Sequence, residues 1–355
     1  MIDFDTIVVG GGPAGTSSAM RCVQLGLKVL LIEKGKKGRH KPCGGILTPA
    51  CVDIIWEALN VEMPQNVMAT PNTIGLYYVP PSGRKNSGSL SNYKLFNINR
   101  DLFDSWLLTL AEQSGAEVWD ETQLLGVDET DSIRVSVNRK GQIFSITTQY
   151  LIGADGVYSA IRMHLNGRIK QKTASVLQEY CKAKGDFGDY FYVFFKGEIS
   201  PLYSYVIPKD DLYIIGVGIP TTDFAAINSR VAKFMDWLRE EFKLKLIHRC
   251  KKEVWAIPIG STFRGEGNVI LTGDAAGFCN TFSGEGIRLA IASGVAAGKA
   301  IQNALSTQQP LALAYARHVK WIDQLTHATC DFATGLTDRD REEYVKSEIN
   351  RIPLQ

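Results

Sequence analysis

The first residues whose types and spacing suit a chemical task are glycines near the start of the chain. Gly10, Gly12 and Gly15 fit the pattern G-x-G-x-x-G, with Pro13 and Ala14 between the last two. In this pattern the first glycine permits a tight turn, the second lets a pyrophosphate approach the backbone, and the third lets a helix pack closely on a strand. The pattern predicts a phosphate-binding turn whose helix points its free N–H groups at the phosphates.

The acidic residue Glu33 follows this turn at the spacing expected for a residue that holds a nucleotide ribose. It closes the apolar run 28–32 and can accept hydrogen bonds from a ribose 2′-hydroxyl. Its negative charge disfavours a nucleotide with a 2′-phosphate at this site. The turn and Glu33 predict a dinucleotide-binding βαβ unit, with Lys34 also assigned to the cofactor site, and they leave NAD and FAD as alternatives.

Two later carboxylates favour FAD over NAD. Asp155 follows the apolar end of a strand-like segment, and Asp274 follows the buried run 269–271. Ligands of open α/β sheets bind beyond the carboxyl ends of the strands, although each Asp could instead cap a following helix. Both segments resemble the flavoprotein group that includes p-hydroxybenzoate hydroxylase. The resemblance implies that Gly273 and Asp274 contact FAD, that Asp155 belongs to the site, and that Arg100 reaches the cofactor.

A glycine-containing segment before the last apolar helix is the next candidate for cofactor contact. Gly284, Gly286 and Ile287 open a helix of small residues. Glycines let backbone N–H groups approach a planar ring, and a helix N-terminus stabilises negative charge near it. We therefore assign these three residues to the flavin site, with an ordinary turn before a helix as the alternative.

Two segments resemble the geranylgeranyl reductase family, and most of all its short bacterial CbrA-type branch. They are Lys-Pro-Cys-Gly-Gly at 41–45 and Tyr-Ser-Tyr-Val-Ile-Pro at 203–208, and the likeness extends over about residues 5–322. The resemblance implies that Cys43, Gly44 and Gly45 lie near the isoalloxazine and that the second segment lines a lipid cavity. In the family that segment reads Y-x-W-x-F-P, whereas this chain has Tyr205 and Ile207 at the last two aromatic positions.

Cys43, Tyr203 and Tyr205 are the candidates for catalysis. The alternatives are an inert buried thiol and tyrosines that pack in the core of a sheet. The basic run 34–41 predicts a solvated loop, with contact to an anionic group or a membrane surface as the alternative.

These residues require elements that bring them together. Strand and helix patterns predict an α/β fold in which a Rossmann-type FAD-binding domain carries an inserted, mostly antiparallel β substrate domain. The predicted FAD-binding domain comprises residues 1–73, 99–172 and 268–330, and the substrate domain comprises 74–98 and 173–267. Residues 35–49 are predicted to be coil, and 331–355 a C-terminal tail with a charge cluster at 338–343.

Composition narrows the classes of partner and compartment. The 355 residues carry a net charge of +2, with 21% charged residues, which excludes a strongly basic nucleic-acid-binding protein. Seven scattered cysteines indicate free thiols and a reducing compartment, and no metal-ligand pattern is present. No apolar run is long enough to span a bilayer. We expect a cytoplasmic protein, with contact at the inner face of the membrane as a further hypothesis.

The favoured function is an FAD-dependent oxidoreductase that reduces carbon–carbon double bonds of a prenyl-type lipid or another apolar substrate. The alternatives are a flavin-dependent aromatic monooxygenase or halogenase, and a non-catalytic flavin-binding regulatory protein. Because only one glycine fingerprint is present, electrons would come from transiently bound NAD(P)H or from a protein reductant. The sequence gives no oligomeric state.

Overall fold

The computed structural model describes residues 2–91, 93–130, 132–167 and 171–351. The strands of these described residues are, in chain order, β1 (Phe4–Val9), β2 (Val29–Ile32), β3 (Ile46–Leu47), β4 (Met68–Val79), β5 (Gly88–Ser89), β6 (Leu95–Ile98), β7 (Glu117–Trp119), β8 (Thr122–Glu129), β9 (Ile133–Arg139), β10 (Gln142–Gly153), β11 (Thr173–Lys184), β12 (Tyr190–Phe194), β13 (Ser204–Lys209), β14 (Leu212–Pro220), β15 (Lys245–Pro258), β16 (Gly265–Glu266) and β17 (Val269–Leu271). Their α-helices are α1 (Pro13–Gln24), α2 (Pro49–Leu59), α3 (Arg100–Ser114), α4 (Ala160–Asn166), α5 (Ile227–Phe242), α6 (Gly273–Ala276), α7 (Ile287–Thr307), α8 (Leu311–His318), α9 (Lys320–Gly335) and α10 (Asp338–Ile349).

The first sheet has the order β16-β17-β10-β1-β2-β7, and the β8–β9 hairpin extends it along the first half of β10. Strands β17, β10, β1, β2 and β7 run parallel to one another. Strands β1, β2 and β17 are almost continuous apolar runs because helices cover both faces of a parallel sheet. Their carboxyl ends therefore meet at one edge, where the glycine turn and Asp274 follow.

Small residues bring helix α7 close to α1 behind that edge. A Cβ atom at Gly294 would collide with Ser17 and with the carbonyl of Ala14. The Ser17 hydroxyl also donates to the Ile291 carbonyl oxygen at 3.4 Å. The small-residue helix predicted from the sequence thus supports the glycine turn from behind.

The second sheet is mostly antiparallel and has the order β15-β11-β14-β13-β12-β4-β6-β3. Only β12 and β4, among the pairings of its described strands, run parallel. Helix α5 covers one face through an aromatic core that includes Phe194, Phe234 and Phe242. The predicted α/β fold with a Rossmann-type core and a mostly antiparallel second sheet is confirmed.

Two helical regions differ from the predicted elements. The predicted coil 35–49 contains the short strand β3 and leads directly into α2, which the sequence patterns did not indicate. Cys51, Ile55 and Leu59 are the buried residues of α2 and recur every four residues, and Pro49 occupies its first position. That spacing and that proline were the available signals for a helix.

Residues in the predicted 331–355 tail form the end of α9 and the whole of α10. The side chain of Arg341 is buried and donates to the carbonyl oxygens of Phe195 at 3.3 Å, Ser200 at 3.2 Å and Pro201 at 2.5 Å. Val345 on the same helix is fully buried. Helix α10 is therefore anchored on the loop between β12 and β13.

Candidate functional site

A cavity of about 430 Å³ opens where the carboxyl edge of the first sheet faces the second sheet. Its volume lies in the range of small-molecule and cofactor sites. The predicted site residues that line it are Gly10, Gly12, Pro13, Ala14, Glu33, Lys34, Cys43, Arg100, Asp155, Asp274, Gly284, Gly286 and Ile287. The predicted residues that do not line it are Gly15, Gly44, Gly45, Tyr203, Tyr205 and Gly273.

The glycine turn leaves room for a ligand above Gly12. Gly10 has a φ of +112°, and a Cβ there would collide with the Ala154 carbonyl. A Cβ at Gly15 would collide with the Gly10 carbonyl, so Gly15 packs beneath the turn. At Gly12 the nearest atom to an added Cβ is the Arg39 Nη2, 3.9 Å away. The turn thus keeps its outer side open at the N-terminus of α1.

Glu33 is held by Arg39, a residue that the sequence motifs did not single out. The carboxylate accepts from Gly11 N at 2.7 Å, Gly35 N at 2.8 Å, Arg39 Nε at 2.9 Å and Arg39 Nη2 at 3.1 Å. Burial opposes ionisation, but Arg39 and the two backbone N–H groups hold the pKa of Glu33 below its usual value. These four donors occupy the lone pairs of the ionised carboxylate, so a ribose hydroxyl would replace one of the two Arg39 hydrogen bonds.

Arg100 is a second buried, charge-paired group at the cavity. It donates to Asp104 through Nε and Nη2, both at 3.1 Å. Burial opposes its charge, but Asp104 and the nearby Cys43 sulfur raise the pKa of Arg100 above its usual value. The fixed guanidinium lies between the start of α3 and the Cys43 turn.

Asp155 both caps a helix and faces the cavity. Its Oδ2 accepts from Ala160 N at 2.7 Å, at the start of α4, while its buried Oδ1 has no hydrogen-bond partner within the described residues. Burial raises the pKa of Asp155. A buried acceptor without a partner is unfavourable, so a donor on a ligand would stabilise it.

Asp274 lies opposite Lys41 and Trp255. The Lys41 Nζ is 3.9 Å from Asp274 Oδ2 and 4.2 Å from the centroid of the Trp255 ring. Burial lowers the pKa of Lys41, against the opposing effect of Asp274. The small distances place a cation, a carboxylate and an indole around one part of the cavity.

Four other members of the basic run also lie near carboxylates. The ion pairs are Lys36–Glu121 at 3.8 Å, Lys37–Glu112 at 2.6 Å and Arg39–Glu33 at 2.9 Å, and His40 Nε2 lies 2.8 Å from Glu253 Oε2. Local carboxylates therefore offset most of the charge of residues 34–41, which favours the interpretation as a solvated loop over an anion-binding surface.

The turn before α7 joins the predicted cofactor residues to the second sheet. Gly284 has a φ of +69°, and an added Cβ there would meet the Tyr203 hydroxyl. That hydroxyl donates to the Ser283 carbonyl at 2.9 Å. Glu285 accepts from Thr48 at 2.8 Å and from Arg288 at 2.9 Å. The sequence motifs missed Thr48 and Arg288, which line the cavity but carry no local pattern.

Tyr205 lies in a polar corner of the second sheet. Its hydroxyl donates to Gln178 Oε1 at 2.6 Å, and Gln178 Nε2 donates to Glu253 Oε1 at 2.6 Å. Glu253 also accepts from Tyr180 at 3.0 Å and pairs with Lys251 at 2.7 Å. Burial raises the pKa of both Tyr203 and Tyr205, so both keep their protons at neutral pH.

Cys43 lies in a turn against which the Lys209 side chain packs. The Gly45 N–H donates to Cys43 Sγ at 3.3 Å, and an added Cβ at Gly45 would collide with Lys209 Nζ. Gly44 packs against Ile207 in the same way. Lys209 Nζ donates to the Ile98 carbonyl at 2.6 Å. The motifs did not indicate Lys209, because a single lysine after Pro208 resembles any strand end.

Remaining features of the described residues concern thiols, metals and membranes. All seven cysteines are free. Within the described ranges there is no group of three or more His, Cys, Asp or Glu side chains that could hold a metal ion. The described helices include none with the length and apolar character needed to cross a bilayer.

The residues present fit FAD. The open side of Gly12, the ionised Glu33, the unpartnered Asp155 Oδ1 and the Asp274 carboxylate all lie along one cavity. Together they offer backbone donors for a pyrophosphate and acceptors for sugar or ribityl hydroxyls. Gly273 supports this arrangement from behind, since its N–H donates to Ser293 Oγ at 2.9 Å.

Comparison with known proteins identifies several relatives. The family model described as FAD binding domain matches residues 3–187. A geranylgeranyl diphosphate reductase of Rhodobacter capsulatus is 30% identical over 88% of this chain and 79% of its own length. A digeranylgeranylglycerophospholipid reductase of Methanococcus vannielii is 29% identical over 86% and 78%. Protein CbrA of Escherichia coli K12 is 29% identical over 82% of each chain.

Solved structures share the fold. A geranylgeranyl bacteriochlorophyll reductase-like protein from Thermoplasma acidophilum has a TM-score of 0.83 at 21% identity, and the match covers 98% of this chain and 92% of that one. The flavin-dependent halogenase CmlS has a TM-score of 0.71 at 19% identity, with 96% and 68% covered. At these identities the likeness establishes the architecture alone.

Proposed function

We propose that this chain reduces carbon–carbon double bonds of a prenyl-type lipid. The chain has an FAD binding domain and belongs to the geranylgeranyl reductase family. One observation carries the proposal: Cys43 lines the same cavity as Gly12 and Asp274, while Tyr203 contacts the turn before α7 beside that cavity. The two named reductases that resemble the chain over most of its length support a prenyl-type substrate.

We assign the cofactor to residues of the first sheet's edge. Gly10, Gly12, Pro13, Ala14 and Gly15 would hold the pyrophosphate. Further contacts are assigned to Glu33, Lys34, Cys43, Gly44, Gly45, Arg100, Asp155, Gly273, Asp274, Gly284, Gly286 and Ile287. When bound and reduced, FAD supplies a hydride to one carbon of an alkene.

The chain's own residues then have three tasks. Cys43 holds a proton at Sγ, at the cavity wall, for the second alkene carbon. Tyr203 and Tyr205, with raised pKa values from burial, remain neutral and hold neighbouring segments in place outside the cavity lining, Tyr203 through Ser283 and Tyr205 through Gln178. The apolar face of the second sheet excludes water and buries the prenyl chain, which would supply most of the binding free energy.

The proposal also covers the source of the substrate, the electron donor and the roles of the two domains. An apolar substrate would be taken from a membrane surface by peripheral contact, at its cytoplasmic face. The electrons would come from transiently bound NAD(P)H or from a protein reductant. For the domains, we propose that 1–73, 99–172 and 268–330 bind FAD and that 74–98 and 173–267 bind substrate.

An anaerobic assay tests this function. Protein loaded with FAD and reduced with dithionite is mixed with prenyl alcohols and prenyl phospholipids, and the lipids are analysed by mass spectrometry. We expect a gain of two hydrogens per reduced double bond, and none with FAD alone. If no lipid is reduced, but an aromatic compound gains oxygen or halogen when air is admitted, the monooxygenase or halogenase hypothesis replaces this one. If no compound of either class is converted although FAD is bound, the regulatory hypothesis remains.

A further inference from the structure

Three cations interact electrostatically with Cys43, and two of them have carboxylate partners. Arg100 lies 3.0 Å from Asp104, and Lys41 lies 3.9 Å from Asp274. The third is Lys209, for which no carboxylate lies within 4 Å of Nζ among the described residues. Lys209 is 8% exposed, so its ammonium is removed from water without a counter-ion.

A buried ammonium without a counter-ion is unfavourable unless a nearby group can carry negative charge. Burial lowers the pKa of Lys209 to about 8, and Cys43 is the strongest electrostatic influence that opposes this effect, ahead of Asp210. Negative charge on the Cys43 sulfur is therefore what would best complement the Lys209 ammonium.

The backbone couples Lys209 mechanically to the same thiol. Lys209 Nζ donates to the Ile98 carbonyl, and Ile98 N donates to the Gly45 carbonyl at 2.8 Å. Gly45 N in turn donates to Cys43 Sγ at 3.3 Å. Because a Cβ at Gly45 would lie only 2.5 Å from Nζ, the lysine packs directly against the turn that contains Cys43.

We propose that Lys209 is a positioning residue for proton transfer at Cys43, and this rests on the proposed function. The Cys43 S–H bond breaks as a C–H bond forms at one alkene carbon, while the hydride forms the other C–H bond. The resulting thiolate is stabilised by the Lys209 ammonium. An N–H bond of Lys209 then breaks as the S–H bond re-forms, and water returns a proton to the amine.

The test measures the reactivity of Cys43 in FAD-loaded protein, which requires no knowledge of the substrate. Lys209→Met and Lys209→Gln remove the charge, and Gln keeps a donor for the Ile98 carbonyl; Lys209→Arg keeps the charge. Iodoacetamide labelling at pH 7.5 is followed by peptide mass spectrometry. The exposed Cys250 provides an internal reference in every sample, and Lys182→Met removes an exposed charge as a control.

We expect Cys43 to be labelled about tenfold more slowly in the Met and Gln variants, because a nearby opposite charge shifts a thiol–thiolate equilibrium by that order. The Arg variant should stay within about twofold, and Cys250 should not change. Equal labelling of Cys43 in wild type and in whichever neutral variant retains FAD would overturn the proposal. Slower labelling together with a wild type that reduces no lipid would instead retain the pair and refute the function.

Discussion

The two sides of the cavity are built by different means. We assign residues 10–15, Glu33, Asp155 and Asp274 to a proposed cofactor side, and Cys43, Tyr203, Tyr205 and Lys209 to a proposed substrate side. On the cofactor side the backbone creates the shape, and two of the three carboxylates have a basic partner within 4 Å. On the substrate side Cys43 lines the cavity, and large side chains support the lining segments, since Tyr203 lies against Gly284 and Lys209 against Gly45. Lys209 remains without a carboxylate partner in the described part of the chain.

This difference predicts how each side of the cavity responds to substitution. A site made by backbone turns fails when a side chain is added, whatever its chemistry. A site made by side chains changes its preference when one of them is replaced, and Tyr205 and Ile207 already differ from the family's aromatic pattern. We therefore expect substitutions on the cofactor side to remove FAD and substitutions on the substrate side to change the reaction.

The largest effect should follow from Gly15→Val. The added side chain would collide with the Gly10 carbonyl, and a backbone atom within the turn has no room to move. We expect a loss of about 4 kcal/mol, which is on the order of 1000-fold in FAD affinity. Gly126→Ala is the control, because an added Cβ there meets no atom within 4 Å. Fluorescence titration with FAD gives both values, and equal affinities would contradict a backbone-made site.

The next largest effect is a pH dependence of the free energy of unfolding caused by the buried Lys209 ammonium. The pKa of Lys209 falls from 10.5 to about 8 in the folded chain, so the unfolded chain binds more protons between those pH values. The free energy of unfolding should therefore rise with pH across this window, by about 3 kcal/mol in total. Lys209→Met should lose this part of the rise, whereas Lys182→Met should keep it. Thermal melts at pH 7 to 10.5 provide the comparison. Identical pH profiles of stability for wild type and Lys209→Met would show that burial does not lower the pKa of Lys209.

A smaller effect is expected for Asp274→Ala. A hydrogen bond from a hydroxyl to a charged acceptor contributes about 1.5–3 kcal/mol, so FAD affinity should fall by roughly 10- to 150-fold while the fold persists. Asp186→Ala removes an exposed carboxylate and serves as the control. Unchanged FAD affinity in the Asp274 variant would remove this residue from the proposed cofactor site.

Sequence patterns predicted the parts that depend on local backbone geometry. The glycine turn, Glu33 and the carboxylates after β10 and β17 each follow from a strand end and a spacing of few residues. Arg39 and Lys209 were not predictable in this way. Arg39 meets Glu33 across a loop, and Lys209 reaches the Cys43 turn from a strand more than 160 residues later in the chain. Such partners are set by how the two sheets pack, for which a single sequence carries no periodic signal.

Helices α2 and α10 illustrate the same limit. The spacing of Cys51, Ile55 and Leu59 predicts one buried helical face, but the surrounding glycines and prolines favour a coil. In α10 a charged segment is held by one buried arginine and one buried valine, Arg341 and Val345. Its sequence resembles a solvated tail. The burial of Arg341 depends on hydrogen bonds to carbonyl groups within residues 195–201, which are distant in the sequence.

The most direct test of the account compares two quantities in one variant, Cys43→Ala. FAD affinity is measured by titration, and anaerobic reoxidation of the reduced enzyme by a prenyl lipid is followed through flavin absorbance. Because a positioned proton donor typically contributes about 100-fold or more, we expect reoxidation to slow by that order while FAD affinity stays within about threefold. Reoxidation at the wild-type rate, or an equal loss of FAD affinity, would contradict an assignment in which Cys43, although also a proposed cofactor contact, acts mainly on the substrate.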